Sequence, residues 1–181
     1  MNYNNFYNLS CYEEFEMQTT LVGISKIDIL KIIGHRIHDY YFFISEDGIF
    51  NWFDLEGNHV ENPRVLLSLS EEYVPKNITK CIIPDNVKCI STFAFSWCVD
   101  LTSITIPDSV TSINDGAFST CQKLTSITIP SNVSYIGYHV FSYCNSLKEV
   151  IFKGKTIEEI KQMRFYYPFG IKNKSIIKCE S

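Results

Sequence analysis

Three cysteines, Cys98, Cys121 and Cys144, stand 23 residues apart, and in this sequence they come nearest to a chemical constellation. Segments that repeat at this interval and stack as neighbouring strands would bring the thiols within about 4.8 Å of one another. That separation lies inside the Cα range of a disulfide. Stacked side chains run parallel, however, so the sulfurs do not point at each other. A zinc site needs about four converging ligands, and a straight row does not converge. The row therefore reads as small buried side chains whose weak S–H donors meet loop carbonyls. With Cys11, Cys81, Cys89 and Cys179 the count is seven. An odd number, in a chain long enough to build a core without staples, points to free thiols in a reducing compartment.

Other reactive residues make weaker patterns. His35-x-x-His38 has helical metal-ligand spacing, but Gly34 precedes it and strand-like residues follow. His139 reads as an exposed loop residue. Glu13-Glu14-Phe15-Glu16 and Glu71-Glu72 are solvated charge runs. The sequence contains no nucleophile elbow, no HExxH and no glycine-rich phosphate loop. The expectation is a non-enzyme with no metal and no cofactor.

Charge and hydropathy exclude further classes. The net charge is −4, divided as −6 over residues 1–80, −2 over 81–150 and +4 over 151–181. No segment has the basic excess of a nucleic-acid footprint. The lysines near the C-terminus are scattered among apolar residues and read as a solvated face. No window approaches the roughly 20 apolar residues of a membrane span. The first residues lack the pattern of a secretory signal, and Cys179 is misplaced for prenylation, so a cytoplasmic location is expected. The four N-x-S/T triplets, at Asn8, Asn77, Asn132 and Asn173, carry no weight without export.

The cysteine interval belongs to a wider repeat. Pro84, Pro107 and Pro130 share it, as do Phe95, Phe118 and Phe141, Val87, Val110 and Val133, and Ile90, Ile113 and Ile136. Three full units and the start of a fourth run to Phe152. One unit has no interior of its own, and stacked units share one. Leu101-Thr-Ser-Ile-Thr-Ile-Pro107 reads as a short strand ended by proline, which cannot donate to a ladder. The period of two turns Ile104 and Ile106 inward and Ser103 and Thr105 outward. Across the units the outward columns are Lys80, Ser103, Ser126, Glu149 and Ile82, Thr105, Thr128, Ile151. These eight are the candidate partner-binding residues of one exposed parallel sheet. Trp97 and Tyr143 share a loop column with Thr120 between them, and are added as exposed aromatic candidates. Phe95, Phe118 and Phe141 read as a stacked spine in the core.

Leu101-x-x-Ile104-x-Ile106-Pro107, Val110-x-x-Ile113, Ala117-Phe118 and Cys121, held over about residues 78–152, resemble the leucine-rich repeats of the BspA-like family of bacteria and parasitic protists. The first unit departs, with Cys81 in place of the first strand isoleucine and no glycine to match Gly116 or Gly137, and is expected to be less regular. The resemblance implies a curved solenoid that binds other macromolecules through its sheet face. Members are associated with adhesion to host components and with protein–protein contacts, and are not known as enzymes through this repeat.

A repeat array needs its ends covered. Thr156-Ile-Glu-Glu159 is a capping box opening a helix to about Met163. Ser175 to Cys179 reads as a strand that joins and blunts the edge of the parallel sheet. Ahead of the repeats, Ser25 to Gly34 reads as a short helix, with a less defined one near Ser10 to Thr19. Ile37 to Ile44, Ile49 to Asp54 and Asn58 to Val60 read as strands, with turns at Glu46-Asp47-Gly48 and Glu56-Gly57-Asn58. The expected fold is α+β: residues 1–76 a non-repeat α/β cap, 77–152 a leucine-rich-repeat solenoid with a parallel sheet, and 153–181 a helix-strand cap, all one compact unit. The expected function is binding a protein partner. A surface adhesin and a weakly self-associating structural module are the alternatives.

Overall fold

The computed structural model describes residues 30, 34–45, 48–163 and 169–180. Both expected N-terminal helices fall outside this set, apart from Leu30, whose C=O accepts from the Gly34 N–H at 2.9 Å. The first described strands are β1 (His35–Ile37), β2 (Tyr40–Ile44), β3 (Phe50–Asp54) and β4 (His59–Val60). They pair antiparallel in chain order, a meander. The expected single strand from Ile37 to Ile44 is two strands: His38, at φ 53, reverses the chain so that β1 folds back on β2. The expected turns at Gly48 and Gly57 hold, with φ of 82 and 85. One face of the meander buries Phe42, Phe50 and Trp52 in the same core as the repeats. Phe43 and Phe53, also buried, stack at 5.9 Å on the other face.

From residue 63 onward the chain runs in stacked units. One side of the stack carries β6 (Lys80–Ile82), β8 (Ser103–Thr105), β10 (Ser126–Ile129), β12 (Glu149–Lys153) and β13 (Ile177–Glu180). A second side carries β5 (Ser68–Leu69), β7 (Cys89–Ile90), β9 (Ser112–Ile113) and β11 (Tyr135–Ile136), all parallel. The register is the repeat itself: Cys89 faces Ser112, Ile90 faces Ile113, and Lys80 faces Ser103. The first unit is therefore regular, against expectation. Phe93 takes the left-handed φ, 59, that Gly116 takes in the next unit, and Cys81 is as buried as Ile127 in the same column. Pairing also begins earlier than the counted repeats, because Ser68–Leu69 lies against Cys89–Ile90. Leu66 and Leu69 supply its core positions, and Leu69 lies two residues closer to its partner Ile90 than the period of 23 requires, which hid the unit from a search at that period.

The turn side closes each unit, and it has its own ladder. Phe93, Phe95 and Trp97 donate to Asp115, Ala117 and Ser119 of the next unit at 2.8–3.0 Å. Gly116, Phe118 and Thr120 repeat this toward Tyr138, Val140 and Ser142. On the second side the N–H groups point the other way: Asn114 donates to Ile90 and Gly137 to Ile113. Left-handed φ recurs at Trp97, Thr120 and Tyr143, so this conformation belongs to the turn and not to one residue. Phe95, Phe118 and Phe141 stack ring on ring at 5.2 and 5.9 Å as expected, all buried.

The expected single parallel sheet on the first side is two ladders. β6 pairs with β8, and β10, β12 and β13 form a three-stranded set, with no ladder between β8 and β10. At that break Ile104 is half-buried, whereas Cys81, Ile127 and Val150 in its column are fully buried. Beyond β12 comes α1 (Ile157–Gln162), which opens on the expected capping box: the Glu159 N–H donates to Thr156 Oγ1 at 3.3 Å, and Glu159 Oε2 accepts from the Thr156 N–H at 2.7 Å. The Thr156 N–H and then its hydroxyl, both donating to the carboxylate, hold the Glu159 carboxyl below its ordinary range. Phe169 is buried against Phe152, and its C=O accepts from Phe141, which continues the turn ladder. Tyr166 and Tyr167, just before it in the sequence, lie outside the described residues. β13 joins β12 in parallel register, as expected.

Candidate functional site

The eight outward residues split between the two ladders. On β6 and β8, Lys80, Ile82, Ser103 and Thr105 are all exposed, and Ile82 presents 52% of its surface to solvent. On β10 and β12, Ser126 is exposed, while Thr128, Glu149 and Ile151 are half-buried. The strands fold this way because each outward residue alternates with a core residue, as Lys80 and Ile82 flank Cys81. Glu149 does not stand free for a partner. Its carboxylate is ion-paired with Lys178, which β13 carries onto this face. The register of β13 against β12, which sets Lys178 beside Ile151, makes that pair, and sequence reasoning missed it.

Beside Ile82 the sheet meets the meander. Ile49, Phe50, Trp52, Ile82 and Pro84 line an apolar recess of about 260 Å³. Ile49 is 47% exposed, so Ile82 and Ile49 make one apolar patch at the end of the β6–β8 ladder. Sequence reasoning named Ile82 and missed Ile49, because only the approach of Gly48 to β6 brings them together. That approach is a backbone contact: the Ile82 N–H donates to the Gly48 C=O at 2.9 Å.

Trp97 and Tyr143 are exposed, 64% and 66%, but they lie on the turn side and not with the sheet residues. Thr120, between them in the column, is buried. Tyr143 and Tyr138 border an open groove of about 800 Å³ with Ser142 and Lys172.

The cysteine row is packing. Cys121 Sγ donates to the Phe95 carbonyl at 3.2 Å and Cys144 Sγ to that of Phe118 at 3.0 Å, each in the preceding unit. Cys98 makes a longer contact to Pro75, 3.8 Å. Burial pushes the Cys98 thiol up to about 11 and the Cys81 thiol higher still. Cys121 is raised as well, by its contact with Cys144 and by burial. Protonated, hydrogen-bonded thiols are poor nucleophiles and poor metal ligands. All six cysteines among the described residues are unbridged. His35 packs against Phe42 and Tyr73, while His38 occupies the β1–β2 turn, so the two do not share a ligand geometry. Among the described residues no three His, Cys, Asp or Glu side chains gather as a metal cluster, and no helix is long and apolar enough to cross a membrane.

The family model of the BspA type leucine rich repeat region matches residues 70–179, in six copies. A leucine-rich cell surface protein from Faecalibacterium prausnitzii is 39% identical over 41% of this chain and 20% of its own, with a TM-score of 0.40. This chain thus spans about a fifth of that protein. A leucine-rich repeat protein from Eubacterium ventriosum is 32% identical over 56% of this chain and 28% of its own, TM-score 0.46. One from Bacteroides capillosus is 23% identical over 67% of this chain and 99% of its own, TM-score 0.47. No curated protein matches.

Proposed function

The chain belongs to the BspA-type leucine-rich repeat family, and from that premise we propose that it is a non-enzymatic module binding a protein partner through the outward face of its parallel strands. We read the stack as a solenoid, with residues 77–152 as its body, the meander capping one end and α1 with β13 capping the other. The observation that carries the reading is the exposed row on β6 and β8. There Lys80, Ser103 and Thr105 surround Ile82, a large apolar side chain left in solvent on a rigid sheet. An aliphatic anchor ringed by polar groups is the usual anatomy of a binding patch. Ser126, Thr128, Glu149 and Ile151 extend the surface across β10 and β12. The Glu149–Lys178 pair makes that half less open to a charged partner. The unbridged thiols among the described residues support our reading of a reducing compartment such as the cytoplasm.

Proximity labelling in the native cell identifies the partner, and purified proteins then test the surface. Lys80→Glu with Ile82→Asp is expected to abolish binding, while Trp97→Ala with Tyr143→Ala leaves it intact. The opposite result moves the site to the turn side and overturns this reading.

A further inference from the structure

We propose that this chain pairs with a second copy of itself through β13, the two strands meeting antiparallel about a two-fold axis at Cys179. β13 is the outermost strand of its ladder, and among the described residues nothing pairs with its far edge. Its inner side is occupied, as the Glu180 C=O accepts from the Gly154 N–H at 2.7 Å. The N–H and C=O of a strand residue leave on the same side, and successive residues alternate. Glu180 and Lys178 therefore turn their backbone groups toward β12, and Cys179 turns its own outward.

A two-fold axis at Cys179 closes both free groups at once, since its N–H and C=O exchange bonds with those of the second Cys179. Side chains select the same register. Opposite Lys178 stands the second copy's Glu180, and opposite Glu180 stands the second copy's Lys178. Centring the pair on residue 178 would set lysine against lysine, and centring it on 180 would set glutamate against glutamate, both unfavourable. Lys178 already holds Glu149 within the chain, whereas Glu180 has no ion pair among the described residues. The second copy's lysine supplies one. A four-residue strand contact is small, so the dimer is weak and concentration-dependent.

Sedimentation of the full chain at rising concentration, in low salt, tests this. The wild type is expected to move from monomer to dimer. Glu180→Lys and Lys178→Glu, each alone, set like charges across the axis and should raise the dissociation constant about ten-fold or more. An equimolar mixture of the two variants restores opposite charges at both contacts, so it should dimerise although neither variant does. A short bismaleimide should trap the wild-type dimer, and not Cys179→Ser, because the facing Cα atoms stand about 5.5 Å apart. A wild type that stays monomeric, a Glu180→Lys variant that dimerises normally, or a mixture that fails to pair would each overturn the proposal.

Discussion

The two ends of the repeat stack are finished in different ways. At the N-terminal end an antiparallel meander lies against β6, and the join is a close backbone approach. A Cβ on Gly48 would come within 2.4 Å of the Lys80 carbonyl oxygen. At the C-terminal end the chain adds one more strand to the same parallel ladder, after α1 and the buried Phe169. The first solution stops the ladder with a foreign element and needs one residue without a side chain. The second tolerates ordinary residues but moves the open edge one strand outward. An end closed by a different sheet is sensitive to a single contact; an end closed by repetition is robust and stays adhesive.

That contrast can be broken experimentally. The centre sets the scale: Phe118→Ala empties the middle of the ring spine and should cost about 3–5 kcal/mol, read by chemical denaturation. A loss far below that would mean the ends, not the spine, hold the fold. Gly48→Ala comes next. The left-handed φ of 82 and the clash with β6 together should cost about 2–4 kcal/mol, with hydrogen exchange rising first in the meander and β6. Unchanged protection there would show that the N-terminal join does not depend on close approach. At the other end Thr156→Ala removes the capping box and should cost only about 1 kcal/mol, seen as a small fall in Tm with the meander unaffected.

The smallest effect is on pH. Burial lowers the pKa of His35, with Glu72 opposing in part. The unfolded chain then holds the proton more readily, so this contribution is complete above pH 6.5 and is lost as the pH falls toward the folded value. His35→Gln should flatten that slope in urea titrations between about pH 7 and 5. A slope that persists in the variant would assign it to another group.

Most of the repeat body was legible in the sequence because stacking demands identical side chains at identical intervals. Phe118, Val110 and Ile113 announce their columns, and the cysteine row followed from the same arithmetic. What stayed hidden depends on context. The unit containing Leu66 and Leu69 is read only through its pairing with β7. The gap between β8 and β10 leaves no mark in the Leu-Thr-Ser-Ile-Thr-Ile motif, which is the same on both sides of it. The sheet-face candidates were placed outward by simple alternation. Their division into two ladders, the Lys178–Glu149 pair and the addition of Ile49 came from long-range packing. Left-handed Phe93 and Trp97 were also unforeseeable, since a turn rather than a residue preference imposes that conformation.

The opposed direction of the two backbone ladders bears on how such a chain changes length over evolutionary time. Every internal unit receives and gives the same bonds, so removing residues 101–123 would join Asp100 to Leu124 and seat the Phe95 ring on Phe141 with every column preserved. Among the units that share the Phe and Cys columns, length comes in steps of 23 residues and about 4.8 Å. Deleting one such repeat is expected to preserve the core columns, while it changes how many Ser and Thr pairs the outward face displays. The meander and the last strand lie outside that register and cannot be copied in the same way.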